Sequence, residues 1–192
     1  MEKSRCSWCG TDPVYTNYHD ELWGVPVYDS KDLFAKLILD GAQAGLSWIT
    51  ILKKWDGYYR AFDGLNPDKM ATYDEAKIQE LILDAGIVRN KLKIRAAVTN
   101  AQAYIKIEEE LGSFSDYLWS FVDGKVITNS LKDMSEAPAS TPESDAMSKD
   151  LKKRGFKFVG STICYAFMQA VGMVNDHFTD CFRYEEVKKL SK

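Results

Sequence analysis

The sequence has two histidines in 192 residues, His19 and His177, and they stand near opposite ends of the chain. Each has a cysteine within reach: Cys6 upstream of His19, and Cys181 four residues after His177. Two cysteines and two histidines form a tetrahedral zinc set. A metal holding all four would tie the chain's ends together and constrain the fold of everything between them. The spacing leaves other readings open. A core histidine and inert buried thiols satisfy it equally. Cys6-Ser-Trp-Cys9 is itself a zinc half-site, in which Cys9 replaces Cys6 or binds beside it. His177 and Cys181 are spaced i, i+4, so on a helix both would project from one face. If the set is Cys6, His19, His177 and Cys181, no position remains for water, and such a site is structural rather than catalytic.

The length suits one domain over residues 1–192, at most divided into two lobes around a cleft. No apolar run approaches the roughly 18 to 20 residues that span a bilayer, and Met1-Glu-Lys-Ser-Arg-Cys6 lacks the apolar stretch of a signal peptide. A cytosolic location is expected, with no membrane contact. Disulfides do not persist there, so the four cysteines read as ligands or core thiols. A net charge of −3 excludes a nucleic-acid binder that works through bulk basicity. Contact with DNA would need local patches: Arg89, Lys91, Lys93 and Arg95, or Lys152, Lys153, Arg154 and Lys157. Solvated helix faces account for either run as well.

The apolar pattern is helical almost throughout, which predicts an all-α fold. Ser30 can cap a helix bearing Leu33, Phe34, Leu37 and Ile38, interrupted at Gly41 and Gly45. Trp48 to Trp55 reads as a second buried helix. Asn66-Pro67 is a cap followed by a proline at the first helical position. Asp74 starts a helix that stops before Gly86, and a long one follows from about Asn90 to Glu110. Ser113 caps the next. Val122 to Thr141 is the longest irregular stretch, with Lys125-Val-Ile-Thr128 the best short strand signal. Further helices are expected from Ser144 to near Gly155, from Ser161 to Val171, and from Val174 to Tyr184.

Two more constellations carry chemistry. The segment Asp74 to Ala103 reads as helix, short turn and helix, with Gly86 in the turn and Arg89 and Lys91 opening the second helix. Turn amides and a helix N-terminus can hold a phosphate, and an ordinary αα-hairpin has the same pattern. Trp8, Tyr15, Tyr18, Trp23 and Trp48 crowd the first fifty residues, with Asp40 and Gln43 between them. Core packing explains most aromatics, but a flat base can also stack on such rings, and a nearby carboxylate can bind its exocyclic amine.

These features come in a fixed order. Cys6-Ser-Trp8, Asp12-Pro-Val-Tyr15, Tyr18-His-Asp20, Trp23-Gly-Val-Pro26, Gln43-Ala-Gly-Leu-Ser-Trp48, Asp84-Ala-Gly-Ile87, Leu151-Lys-Lys-Arg-Gly-Phe-Lys-Phe-Val-Gly160 and Val174-Asn-Asp-His177 together resemble the DNA-3-methyladenine glycosylase I family, from about Cys6 to Cys181. The resemblance implies a helix-hairpin-helix glycosylase fold with a zinc snap joining the termini. Its metal ligands would be Cys6, His19, His177 and Cys181, with one structural zinc and Cys9 a bystander. It implies excision of alkylated bases, chiefly 3-methyladenine, from double-stranded DNA by base flipping, without strand cleavage. Trp8, Tyr15, Tyr18 and Trp48 would line the base pocket, with Asp40 binding and orienting the base as the catalytic carboxylate. Gly45 and Leu46 would lie at the gap left by the flipped nucleotide, and Gly86, Arg89 and Lys91 would hold DNA. A monomer is expected.

Three positions depart from the family's pattern. Asp40 stands where a glutamate is usual, Ala42 lacks a side chain beside it, and Ala166 replaces a serine found in some members. The departures motivate two alternatives: a zinc-tied DNA- or nucleobase-binding module without catalysis, and a glycosylase with a shifted lesion preference.

Overall fold

The computed structural model describes residues 3–190. Caps set most helix boundaries. Asp12 accepts the Val14 amide and Pro13 opens α1 (Pro13–Glu21). In α2 (Ser30–Gln43) the cap is Asp29 rather than Ser30. Its carboxylate accepts the Lys31 and Asp32 amides at 2.8 and 2.9 Å. The Ser30 hydroxyl instead accepts the Ser115 amide, tying the segment that follows Ser113 to α2. Gly41 does not interrupt α2. It is buried within it against Phe158, and the chain turns only at Gly45, where φ is +76°. The expected Trp48–Trp55 helix is broken at Lys53 and Lys54 into α3 (Trp48–Leu52) and α4 (Trp55–Ala61).

Asn66 caps α5 (Pro67–Met70), Asp74 caps α6 (Glu75–Leu83), and Asn90 caps α7 (Lys91–Leu111), as the sequence predicts. The long α7 buries Ile94, Ala97, Ala101, Tyr104 and Ile107, and packs against α2, α5, α6 and α8 (Phe114–Trp119). Thr141, not Ser144, caps α9 (Pro142–Lys153). Its hydroxyl takes the Ser144 amide while the Ser144 hydroxyl takes the Thr141 amide. The apolar α10 (Ser161–Ala170) packs on α9 and α2.

The C-terminal segment departs from the all-α expectation. Val174–Asn175 forms a strand, β2, paired in parallel with β1 (Ile127–Thr128). Residues 176–180 are irregular, and α11 (Phe182–Lys188) begins only after Cys181. His177 and Cys181 therefore do not share a helix face. The reason lies in Asn175: its buried side chain accepts the His177 amide and donates to the Tyr184 carbonyl, holding the chain in a turn that a helix would not permit. The fold is mostly helical with one short parallel strand pair. One apolar core joins α2, α7, α9 and α10, and smaller clusters lie beside Cys6 and Tyr18. No helix among the described residues is long and apolar enough to cross a membrane.

Candidate active site and metal centre

Cys6, His19, His177 and Cys181 meet in the interior, their ligand atoms all within 4.8 Å of one another. The arm before α1 brings Cys6, α1 brings His19, and the irregular stretch after β2 brings the other two. Cys6 Sγ lies 3.7 Å from His177 Nδ1, and Cys181 Sγ lies 3.5 Å from His19 Nε2 and 3.7 Å from His177 Nδ1. A tetrahedron with ordinary zinc–sulfur and zinc–nitrogen bonds has S···N edges of about 3.6 Å. The outer ring nitrogens are also committed: His19 Nδ1 to Asp20 Oδ1 at 2.8 Å, and His177 Nε2 to the Trp23 carbonyl at 3.1 Å. Such contacts fix each tautomer so that the inner nitrogen offers its lone pair. The group can hold a metal ion, and its four buried ligands leave no open position. The hydrogen bond that Cys6 donates to Cys181, together with burial, pushes the Cys6 thiol up, whereas Cys6 and the two imidazoles pull Cys181 down. Cys9 lies outside the cluster, its thiol donating to the Cys6 carbonyl at 3.1 Å.

Beside the cluster is a cleft of about 310 Å³, in the range of small-molecule sites. Trp8, Tyr15, Tyr18, Asp40 and Trp48 all line it. Trp8 comes from the turn Ser7–Cys9, the tyrosines from α1, Asp40 from the last turn of α2, and Trp48 from the start of α3. Trp8 and Tyr15 have ring centroids 5.3 Å apart, and Tyr18 and Trp48 5.4 Å. The Asp40 carboxylate is 3% exposed, so the state of its two oxygens matters. Oδ1 accepts from Lys36 Nζ at 3.0 Å, whereas Oδ2, like Trp48 Nε1, is buried without a hydrogen-bond partner among the described residues. Burial raises the Asp40 carboxyl above its ordinary value, opposed by Lys36, and lowers the Lys36 ammonium, opposed by Asp40. Ala166 also lines the cleft, whereas Ala42 does not: it is buried and lines a separate small cavity with Tyr58, Val88 and Asn100.

The sequence reading missed two polar groups here. Asp176 lines the cleft but is saturated, accepting from Tyr165, Gln169 and Asn129, so it braces the wall and leaves Asp40 as the carboxylate with a free oxygen. Lys36 was also passed over, although its i, i+4 spacing to Asp40 on a helix was readable.

Gly45 and Leu46 form an exposed loop between α2 and α3. Leu46 shares a shallow groove with Lys54, Ala85 and Arg89, so this loop and the α6–α7 turn border one surface. Arg89 and Lys91 are exposed, and neither forms a salt bridge among the described residues. Lys93 and Arg95 are engaged within the fold: Lys93 donates to the Ala42 and Ala44 carbonyls, and Arg95 pairs with Glu75. The Gly86 amide donates to Asp84 Oδ1 at 2.6 Å. The close packing at this turn depends on Gly57 of α4, where a built Cβ would fall 2.1 Å from the Gly86 carbonyl oxygen.

Residues 8–184 match the family model described as methyladenine glycosylase. The chain is 51% identical over 180 residues to DNA-3-methyladenine glycosylase 1 of Escherichia coli (strain K12), covering 94% of this chain and 96% of that protein. Among solved structures, one of 3-methyladenine DNA glycosylase I superposes with a TM-score of 0.92 at 50% identity, covering 93% of this chain and 98% of that one. Another, from Staphylococcus aureus and solved for the structural basis of 3-methyladenine recognition, gives 0.91 at 42% identity, covering 94% and 96%.

Proposed function

The chain belongs to the methyladenine glycosylase family, and on that premise we propose that it is a DNA repair enzyme, a DNA-3-methyladenine glycosylase. It hydrolyses the N-glycosidic bond of alkylated bases in double-stranded DNA. The observation that carries this reading is the buried, unpartnered Oδ2 of Asp40 in an aromatic-walled cleft large enough to admit a purine.

The target nucleotide is flipped out of the duplex, and its base enters between the rings of Trp8, Tyr15, Tyr18 and Trp48. Asp40 Oδ2 accepts from the exocyclic amine and fixes the base's orientation. N3-methylation has already made the base cationic. When the C1′–N9 bond breaks, the bonding pair moves to the base, which leaves as a neutral purine and needs no acid. Water oxygen bonds to C1′ and its proton passes to solvent. Positioning therefore supplies most of the catalysis. Lys36 is held by Asp40 and serves as no nucleophile, so the enzyme is monofunctional, without strand cleavage.

Gly45 and Leu46 fill the gap left by the flipped nucleotide. Arg89 and Lys91 meet phosphates beside the helix-hairpin-helix turn at Gly86. Cys6, His19, His177 and Cys181 would hold one structural zinc, which supplies no chemistry to the reaction and fastens the arm carrying Trp8 to the C-terminal segment. The enzyme acts as a monomer in the cytosol. The shorter Asp40 and the small Ala166 enlarge the pocket, and a shifted lesion preference would follow from them. Release of free 3-methyladenine from methylated duplex DNA tests the reading, and background release by folded, metal-loaded protein would sink it.

A further inference from the structure

Lys36 does not line the base cleft, but from behind its wall it engages Asp40 and Trp48, two groups that a cationic base would use. Its ammonium is 3.0 Å from Asp40 Oδ1, 3.7 Å from the centroid of the Trp48 ring and 5.4 Å from that of Tyr18. Its side chain is only 11% exposed. It reaches this position from a neighbouring cleft, lined by Glu21, Asp32, Trp55 and Tyr59, that shares Tyr18 with the base pocket. A carboxylate and a π-face are the two features that attract a cation, and a resident cation already engages both.

We propose that Lys36 is a specificity-determining residue: by neutralising Asp40 and covering Trp48 it makes the pocket favour the departing neutral base over the cationic base still joined to DNA. The inference rests on the base-pocket reading above. The physical consequence is differential binding. Positive charge on the base is repelled by Lys36 in the ground state, and that repulsion is relieved as the charge moves to the sugar. An interaction that improves between ground and transition states raises the rate of the chemical step, whereas a pocket tuned to the cation would only tighten initial binding. Asp40 Oδ2 still accepts from the amine in either state, so orientation is kept.

The test uses free bases at pH 8, with Trp fluorescence as the readout. Neutral 3-methyladenine is compared with 3,9-dimethyladeninium, a permanent cation whose N9 methyl stands for the sugar. Wild type is expected to bind the neutral base more tightly. Lys36→Met keeps the length of the side chain without its charge, and is expected to shift the ratio of the two affinities toward the cation about tenfold or more. Lys36→Arg keeps the charge and should keep the wild-type ratio, which a purely structural role would not require. A Lys36→Met ratio within twofold of wild type, with both bases bound, overturns the role of Lys36 and leaves the pocket reading intact. Binding of neither base to wild type overturns both. Should Lys36→Met fail to fold, a wild-type preference for the cation overturns the proposal unaided.

Discussion

Gly57→Ala sets helix propensity against packing. Gly57 lies inside α4 with ordinary helical dihedrals, so propensity alone favours alanine by about 1 kcal/mol. The new Cβ would sit 2.1 Å from the Gly86 carbonyl oxygen and 2.8 Å from its carbonyl carbon, and ordinary contact begins at 3.4 Å. Both partners are backbone, so no side chain can swing away. The α6–α7 turn must retreat by about 1.3 Å, a displacement of the size at which overpacking costs up to about 3 kcal/mol. Packing outweighs propensity by about 2 kcal/mol, and Tm should fall by roughly 4 to 8 °C for a chain of this size. The retreating turn carries Arg89, so DNA affinity should fall, whereas binding of free 3-methyladenine in the separate cleft should not. Gly86→Ala is the control. Its Cβ meets the ends of two side chains, the exposed Arg60 and Asp84 Oδ1, which can move where backbone cannot, so its cost should be smaller. The assays are thermal unfolding, DNA binding at fixed salt and free-base binding. A Gly57→Ala protein with unchanged Tm and DNA affinity would refute the argument.

Native protein should contain one zinc per chain by elemental analysis, and His177→Ala should lose it and unfold at a lower temperature, since metal binding is coupled to folding. Asp40→Asn should reduce excision of 3-methyladenine sharply in single-turnover assays; full activity would remove Asp40 from the mechanism. Because burial raises the Asp40 carboxyl, base affinity should fall as pH drops through a value above the ordinary 3.8, and a loss that begins only below 3.8 would contradict the assignment. Arg89→Gln and Lys91→Gln should each lower the slope of log affinity against log salt by about 1, and an unchanged slope would take that residue off the DNA face.

Helix identity was legible because caps are local: Asn66, Asp74, Asn90 and Ser113 each bond amides within the next three residues. The cap error at Ser30 and the late start given to α9 at Ser144 arose where a second residue able to cap, Asp29 or Thr141, lay just upstream and held the free amides. The C-terminal helix was misread because Val174–Asn175 is held by Ile127–Thr128, a partner 47 residues away that no local pattern reveals. The aromatic and Asp40 cleft emerged from residue type and the ordered motifs, because the motifs carry the side chains that face it. Gly57 was invisible for the opposite reason. Nothing in its own segment shows that the Gly86 carbonyl will come within contact of its Cα.

The metal cluster and the base cleft share a wall, and that gives the cluster a consequence beyond stability. The Trp8 ring packs 5.3 Å from His19 and 4.8 Å from Trp23, and Trp23 packs 4.6 Å from His177. Trp8 therefore lies on one ligand, His19, and on Trp23, whose carbonyl positions another, and it also lines the cleft. A cluster that lets His19 or His177 turn would release Trp23 and then Trp8, widening the pocket although no ligand touches the base. Asp40 lies on α2, is tied to Lys36 of the same helix, and its anchorage does not pass through the cluster. Loosening the metal site should therefore weaken base stacking before it disturbs the carboxylate, so affinity for free base would fall while the preference between neutral and cationic bases stays the same.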